Sequence, residues 1–227
     1  MSIINYVCDS IKGKLHLRNE DRIEIIELRR HLLFLLFDGA SSSRNSLATI
    51  ELSIQYIRDA LCKASPANGL SLKTVLFETN QFVVSNGSED SYTTYCAMLI
   101  PYDGGQPGVI SSLGDSRIYR VCKDKLKQLS KDSEVFDDET HLVKCLGLSG
   151  LTEYEFEDRT LVLEGERFLI CTDGFYNIAE LNDETIVSIL NDEKMAAIPG
   201  AIVNAIRNPP RDDMTYILLH VSAASDN

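Results

Sequence analysis

The stretch LLFLLFDGASSSRN, residues 32–45, sets six consecutive apolar residues against an Asp-Gly pair and then a string of hydroxyls. A short, continuous apolar run that stops at a turn dipeptide reads as a core strand, Leu32 to Phe37. Asp38 at its end has two readings. Asp-Gly is a common turn pair whose carboxylate bonds its own backbone, or the strand delivers the carboxylate to something that it holds. The serines that follow suit the start of a helix, where a hydroxyl accepts from a free N–H.

Working outward, the pattern recurs. Asp115 stands in SSLGDSRIYR, Asp173 follows RFLICT, and Asp212 lies in PPRDDMTYILLHV, each where a β-type segment begins or ends and beside glycine or turn chemistry. Any one of them is ordinary turn chemistry. Strands laid side by side can bring four such ends together, and clustered carboxylates repel unless a cation neutralises them. All-oxygen donors select hard ions such as Mg²⁺ or Mn²⁺. His16, His31, His141 and His220 show no paired zinc spacing.

The rest of the chain supplies the scaffold. β-Type segments are expected at 23–28, 32–37, 93–100, 109–113, 117–122, 160–163, 167–171 and 215–221. Helical spacing is expected at 47–63 and from Leu70 to Asn86-Gly87, with SPANG (65–69) as the turn between them, and again in NDETIVSILND and PGAIVNAIRN. Strands, helix pair, strands, helix pair and final strand make an α+β pattern, read as a single domain over 1–227. The polar segment 131–150 is expected to be a surface loop, and DDET (137–140) a solvated acidic face.

Composition bounds the function. A net charge of −12 argues against nucleic acid or an anionic membrane as partner, although solubility alone would also explain it. Six cysteines without a C-x-x-C pair, of which Cys96 and Cys171 sit in apolar runs, suit a reducing, cytoplasmic location. No leader or membrane-spanning run is expected. No C-x₅-R cradle, G-x-S-x-G elbow or P-loop appears, which turns the argument away from thiol, serine and P-loop chemistry.

The ordered series RNEDR (18–22), LLFDGA (35–40), TTYCAMLI (93–100), LGDSRIYR (113–120), LICTDGFYN (169–177) and RDDMTYILLHV (211–221) resembles the metal-dependent protein phosphatases of type 2C, nearly end to end. The resemblance implies a two-sheet antiparallel β-sandwich flanked by pairs of antiparallel helices, a four-layer α-β-β-α arrangement, with two Mn²⁺ or Mg²⁺ ions at one end. Asp38 would bridge both ions and the Gly39 carbonyl would bind one. Asp173 and Asp212 would complete the set of catalytic aspartates, and Glu20 would act through a water. Asp115 matches the position of a third metal, and Thr94 the family's threonines behind the site, though a threonine suits any buried strand. Asp21, Asp183 and Asp213 are left as supporting, turn or capping residues. The implied reaction is hydrolysis of phosphoserine or phosphothreonine in a protein by a hydroxide held between the metals, with a Ser/Thr kinase as counterpart. The segment 131–150 aligns with the family's flap, and the compact chain looks like a bacterial member.

Two departures stand out. His16 occupies the position of the family's phosphate-gripping arginine, with Arg18 as an alternative donor; histidine lacks the bidentate fork and permanent charge. The usual Asp-Gly-x-Gly-Gly reads Asp38-Gly39-Ala40-Ser41-Ser42 here. They motivate a second expectation, a catalytically weak relative that binds phosphoproteins as a regulatory module. A third reading, an acidic structural protein with turn aspartates only, predicts no specific stabilisation by metal.

Overall fold

The computed structural model describes residues 2–40, 43–63, 71–103, 106–137, 140–163, 165–181, 183–206 and 208–223. The chain runs through β1 (Ser2–Ile11), β2 (Arg22–Glu27), β3 (His31–Gly39), α1 (Ser46–Lys63), α2 (Leu72–Asn86), β4 (Thr93–Pro101), β5 (Gly108–Leu113), β6 (Arg117–Val121) and β7 (Leu126–Gln128). A hairpin of β8 (Glu134–Asp137) and β9 (Thr140–Val143) follows, then β10 (Arg159–Leu161), β11 (Arg167–Cys171), α3 (Asp173–Leu181), α4 (Asp183–Leu190), α5 (Ile198–Ile206) and β12 (Met214–Ala223).

Two five-stranded antiparallel sheets result, ordered β1-β12-β11-β6-β7 and β10-β5-β4-β3-β2. Three apolar clusters show how they stack. Leu32, Phe34 and Leu36 of β3 meet Phe168, Ile170, Ile217 and Leu219 between the sheets. Leu33, Leu35 and Phe37 point the other way, against Ile50 and Ile57 of α1 and Leu76 of α2. On the far side, α3, α4 and α5 cover Leu169, Cys171, Tyr216 and Leu218. The layers are therefore α-β-β-α. This explains the opening run: antiparallel strands usually alternate apolar and polar because one face is wet, but β3 is covered on both faces and is apolar from Leu32 to Phe37.

Several expectations are corrected. β1, unread in the sequence, pairs along its whole length with β12, from Ser2↔Ala223 to Ile11↔Met214. The second helical layer has three helices rather than two, because α3 starts at Asp173 itself. The segment 131–150 is no plain loop: it carries the β8–β9 hairpin, and Leu146 exchanges backbone bonds of 2.9 and 3.1 Å with Thr93 at the start of β4. Of the serines after Ala40, Ser43 does not serve as a helix cap. Ser43 Oγ accepts from the Tyr92 N–H at 2.9 Å, Ser46 Oγ donates to Glu20 Oε2 at 2.9 Å, and Ser41 and Ser42 lie outside the described residues, as do SPANG (65–69) and part of DDET. Helix α2 ends at the expected Asn86-Gly87 and begins two residues after Leu70, with Ser71 Oγ accepting from the Thr74 N–H.

Candidate metal centre

Sheet register decides which side chains can meet. In one sheet Phe37 at the end of β3 faces Arg22 at the start of β2, and Asp38 faces Thr94 at the start of β4. In the other, Cys171 at the end of β11 faces Tyr216 near the start of β12 and Arg117 at the start of β6. Glu20 and Asp21 precede β2, Asp38 closes β3, Asp115 sits in the turn where the chain passes between sheets from β5 to β6, Asp173 follows β11, and Asp212 precedes β12. All of them lie at one end of the sandwich.

Their proximity shows in their proton affinities. The Asp38 carboxyl is pushed well above the usual range, first by burial and then by the charges of Asp21, Asp173, Asp115 and Asp212. Asp21, buried between the sheets' ends, is pushed to about 7 by burial, with the charges of Asp213 and Asp173 adding to it and hydrogen bonds from the Thr215 and Thr172 hydroxyls opposing it. Asp173 rises to about 6 through burial, Asp212 and Asp115, although the Gly174 N–H and His16 pull it back. Each carboxylate makes its neighbours' ionisation harder, which is the signature of a site lacking positive charge.

The backbone is shaped to let these groups converge. A Cβ on Gly39 would lie 2.6 Å from Ser46 Oγ and 3.0 Å from Glu20 Cβ, and one on Gly174 would lie 2.0 Å from the Asp213 carbonyl oxygen. Gly114, beside Asp115, has φ +114° and packs on Thr94. Thr93 Oγ1 donates to the Asp38 carbonyl at 2.8 Å, and the Thr94 and Ser116 hydroxyls bond each other at 2.8 Å. These contacts lock the β3–β4–β5 ends behind Asp38.

The donor set consists of carboxylates, hydroxyls and backbone carbonyls, which suits Mg²⁺ or Mn²⁺. Among the described residues, no three His, Cys, Asp or Glu side chains are arranged so that they could hold an ion unaided. The five mutually repelling aspartates, together with the tight packing around Gly39, fit such ions.

The stage II sporulation protein E (SpoIIE) family model matches residues 52–222. The chain belongs to the SpoIIE family. No curated protein matches it. Its fold is shared with solved structures, among them the catalytic domain of the serine/threonine protein phosphatase PstP in complex with two manganese ions, at 23% identity and TM-score 0.74, covering 98% of this chain and 100% of that one. A serine/threonine phosphatase from S. agalactiae is similar at 19% identity and TM-score 0.74, over 96% and 99% of the two chains. PppA, described as a key regulatory component of T6SS in Pseudomonas aeruginosa, is similar at 20% identity and TM-score 0.74, over 97% and 100%. The type 2C resemblance and the α+β sandwich expected from the motifs are borne out.

In this SpoIIE chain the two cations expected to face a phosphate are committed to the site's own carboxylates. His16 Nδ1 lies 2.8 Å from Asp213 Oδ2 and Nε2 3.4 Å from Asp212 Oδ1. Its pKa is raised, first by the hydrogen bond to Asp213, with burial opposing and the charges of Asp213, Asp212 and Glu20 reinforcing it. Arg18 Nε lies 3.6 Å from Glu20 Oε1. Sequence reasoning also undervalued Asp213 and Asp21. Buried Asp213 accepts from the Gly13 N–H at 2.7 Å, the Glu20 N–H at 2.8 Å and His16, and so ties the 13–20 loop to the start of β12. Asp21 Oδ2 accepts from Thr172 Oγ1 at 3.2 Å. The doubled acidic residues in "RNEDR" and "RDDM" were the available signal: one member of each pair faces outward and its neighbour is built into the frame.

Proposed function

We propose that this SpoIIE-family chain is a Mn²⁺- or Mg²⁺-dependent protein serine/threonine phosphatase. The observation that carries the reading is the gathering of Asp38, Asp115, Asp173 and Asp212, with Asp21 behind them, from separate strand ends onto one end of a sandwich shared with phosphatases. Asp38, the Gly39 carbonyl, Asp173 and Asp212 would hold two divalent cations, Glu20 would hold a water beside them, and Asp115 would serve a third. Bound there, such ions supply a water-derived nucleophile near neutral pH and neutralise the phosphoryl oxygens.

The chain's own residues do the rest. Asp213 fixes the His16 ring, and His16 orients Asp212 across its other nitrogen. Ser46 and Arg18 hold the two oxygens of Glu20. Thr93 holds the Asp38 carbonyl, one residue before the carbonyl assigned to a cation. The partner would be a phosphorylated protein, and the counterpart enzyme its Ser/Thr kinase. Among the described residues the cysteines form no disulfide and no helix is long and apolar enough to cross a membrane; a reducing, cytoplasmic setting is part of the same proposal.

A second reading has one specific observation in its favour. With His16 and Arg18 engaged on carboxylates, the grip on a substrate phosphate is weaker than an arginine's, as in a regulatory module that binds phosphoproteins with little turnover. Phosphate release from phosphoserine and phosphothreonine peptides, measured with Mn²⁺, with Mg²⁺ and with chelator, separates the two. We expect metal-dependent release that Asp38→Asn abolishes. Metal binding without release would support the module.

A further inference from the structure

Beside the candidate centre lies a mostly apolar pocket of ≈ 560 Å³, lined by Leu15, Ile178, Ile206, Pro209 and Pro210 and floored at one side by Gly174 and Asp212. We infer that it receives an apolar side chain of the phosphoprotein substrate, close in sequence to the phosphorylated residue; this rests on the phosphatase reading above. The volume lies in the range of pockets that bind specific groups.

Three observations join the pocket to the chemistry. Asp212 belongs both to its wall and to the aspartate cluster, and Gly174 directly follows Asp173, so a chain whose phosphate reaches the cluster passes the pocket's mouth. The walls are tied together: the Lys14 N–H donates to the Pro210 carbonyl at 3.0 Å and the Leu15 N–H to the Arg211 carbonyl at 3.2 Å. A Cβ on Gly13 would lie 2.3 Å from the Asp212 carbonyl carbon, so the loop rests directly on the Asp212 backbone. Finally, apolar surface is spent here without cover from this chain. Leu15 is 64% exposed and Leu17 fully exposed, on the same loop as His16 and Arg18. Single exposed leucines are commonplace, but two on one loop beside a lined apolar pocket form a patch that marks an interaction site. Exposed Arg211 also lines the pocket, a cation beside the aspartate cluster and complementary to a phosphate-bearing chain.

An apolar side chain in such a pocket discriminates by about 10-fold or more in kcat/KM against its truncated counterpart.

The test compares phosphoserine peptides that carry Leu or Ala in turn at each flanking position, with p-nitrophenyl phosphate as a substrate too small to reach the pocket, all with Mn²⁺. We expect a Leu preference of about 10-fold at one position, lost in Leu15→Asp and in Ile206→Ala, restored toward wild type in Leu15→Met, with p-nitrophenyl phosphate turnover unchanged in all three. Equal turnover of Leu and Ala peptides, or a preference that survives both variants, overturns the inference while the phosphatase stands. Absence of all turnover in the wild type overturns the phosphatase reading itself and this inference with it. A wild-type dimer that Leu15→Asp dissociates, with peptide preference unaltered, overturns it in favour of a second copy of the chain.

Discussion

Adjacent residues Asp212 and Asp213 take different tasks because the backbone sends one outward and one inward. Asp213, 3% exposed, has its oxygens filled by two backbone N–H groups and an imidazole, so its task is to hold the loop in place. Among the described residues Asp212 accepts from the Asp213 N–H and makes the longer His16 contact, and its partly exposed carboxylate is the side proposed to meet a cation. A ligand's supporting hydrogen bonds typically govern affinity by 10- to 100-fold. His16→Ala should therefore raise the Kd for Mn²⁺ by about 10-fold, whereas Asp212→Asn and Asp173→Asn should remove phosphate release altogether with the fold retained. Titration by calorimetry beside phosphate release checks both; unaltered affinity in His16→Ala would mean that the ring does not orient Asp212. Of the outward members of the acidic pairs, Asp212 was legible in the sequence from its place in a turn, and Glu20 only through the type 2C resemblance. The inward members were not, since burial of Asp21 and Asp213 depends on sheet register and on a loop contributed from a remote part of the chain.

At the scale of elements, strands read from continuous apolar runs were recovered because the sandwich buries both faces of its central strands. β3 and β4 are the clearest cases. β1 escaped because it is an edge strand with Ile3 and Tyr6 exposed, so its sequence lacks both a long apolar run and clean alternation. Helix α3 escaped because Asp173-Gly174 reads as a turn, whereas the glycine is required for a different reason: the helix start presses onto the β12 lead-in. The added methyl of Gly174→Ala would meet a backbone carbonyl, which cannot swing aside as a flexible side chain can. We expect that variant to lower Tm by several degrees, since about 1 kcal/mol is worth ~2–4 °C in a chain of this size, and to weaken Mn²⁺ binding with it, because Asp173 and Asp213 must both shift. Thermal melts with and without Mn²⁺ would show it. A variant with wild-type Tm and wild-type metal binding would mean that the contact relaxes without moving either aspartate.

For the whole molecule, the acidic cluster makes stability a function of pH and of cation. Asp173 at about 6, Asp21 at about 7 and Asp38 well above its usual range all bind protons more tightly folded than unfolded. A group whose folded pKa is raised stabilises the fold at low pH, and that contribution is lost as pH rises through the folded value. The raised pKa of His16 acts in the same direction. In chelator, Tm should therefore rise by a few degrees between pH 8 and pH 5.5, where many proteins are flat or falling. Relief of the net charge of −12 on acidification would add to this without involving the site, so the control is Asp21→Asn, which keeps an acceptor for Thr172 but cannot ionise. It should flatten the profile if the cluster is the cause and leave the slope unchanged if bulk charge is. Divalent cations should act oppositely to protons, raising Tm most at pH 8, where the carboxylates are ionised and compete least with protons for the metal. A Mn²⁺-induced shift that is equal at both pH values, or larger at pH 5.5, would place the stabilising cation away from these five aspartates.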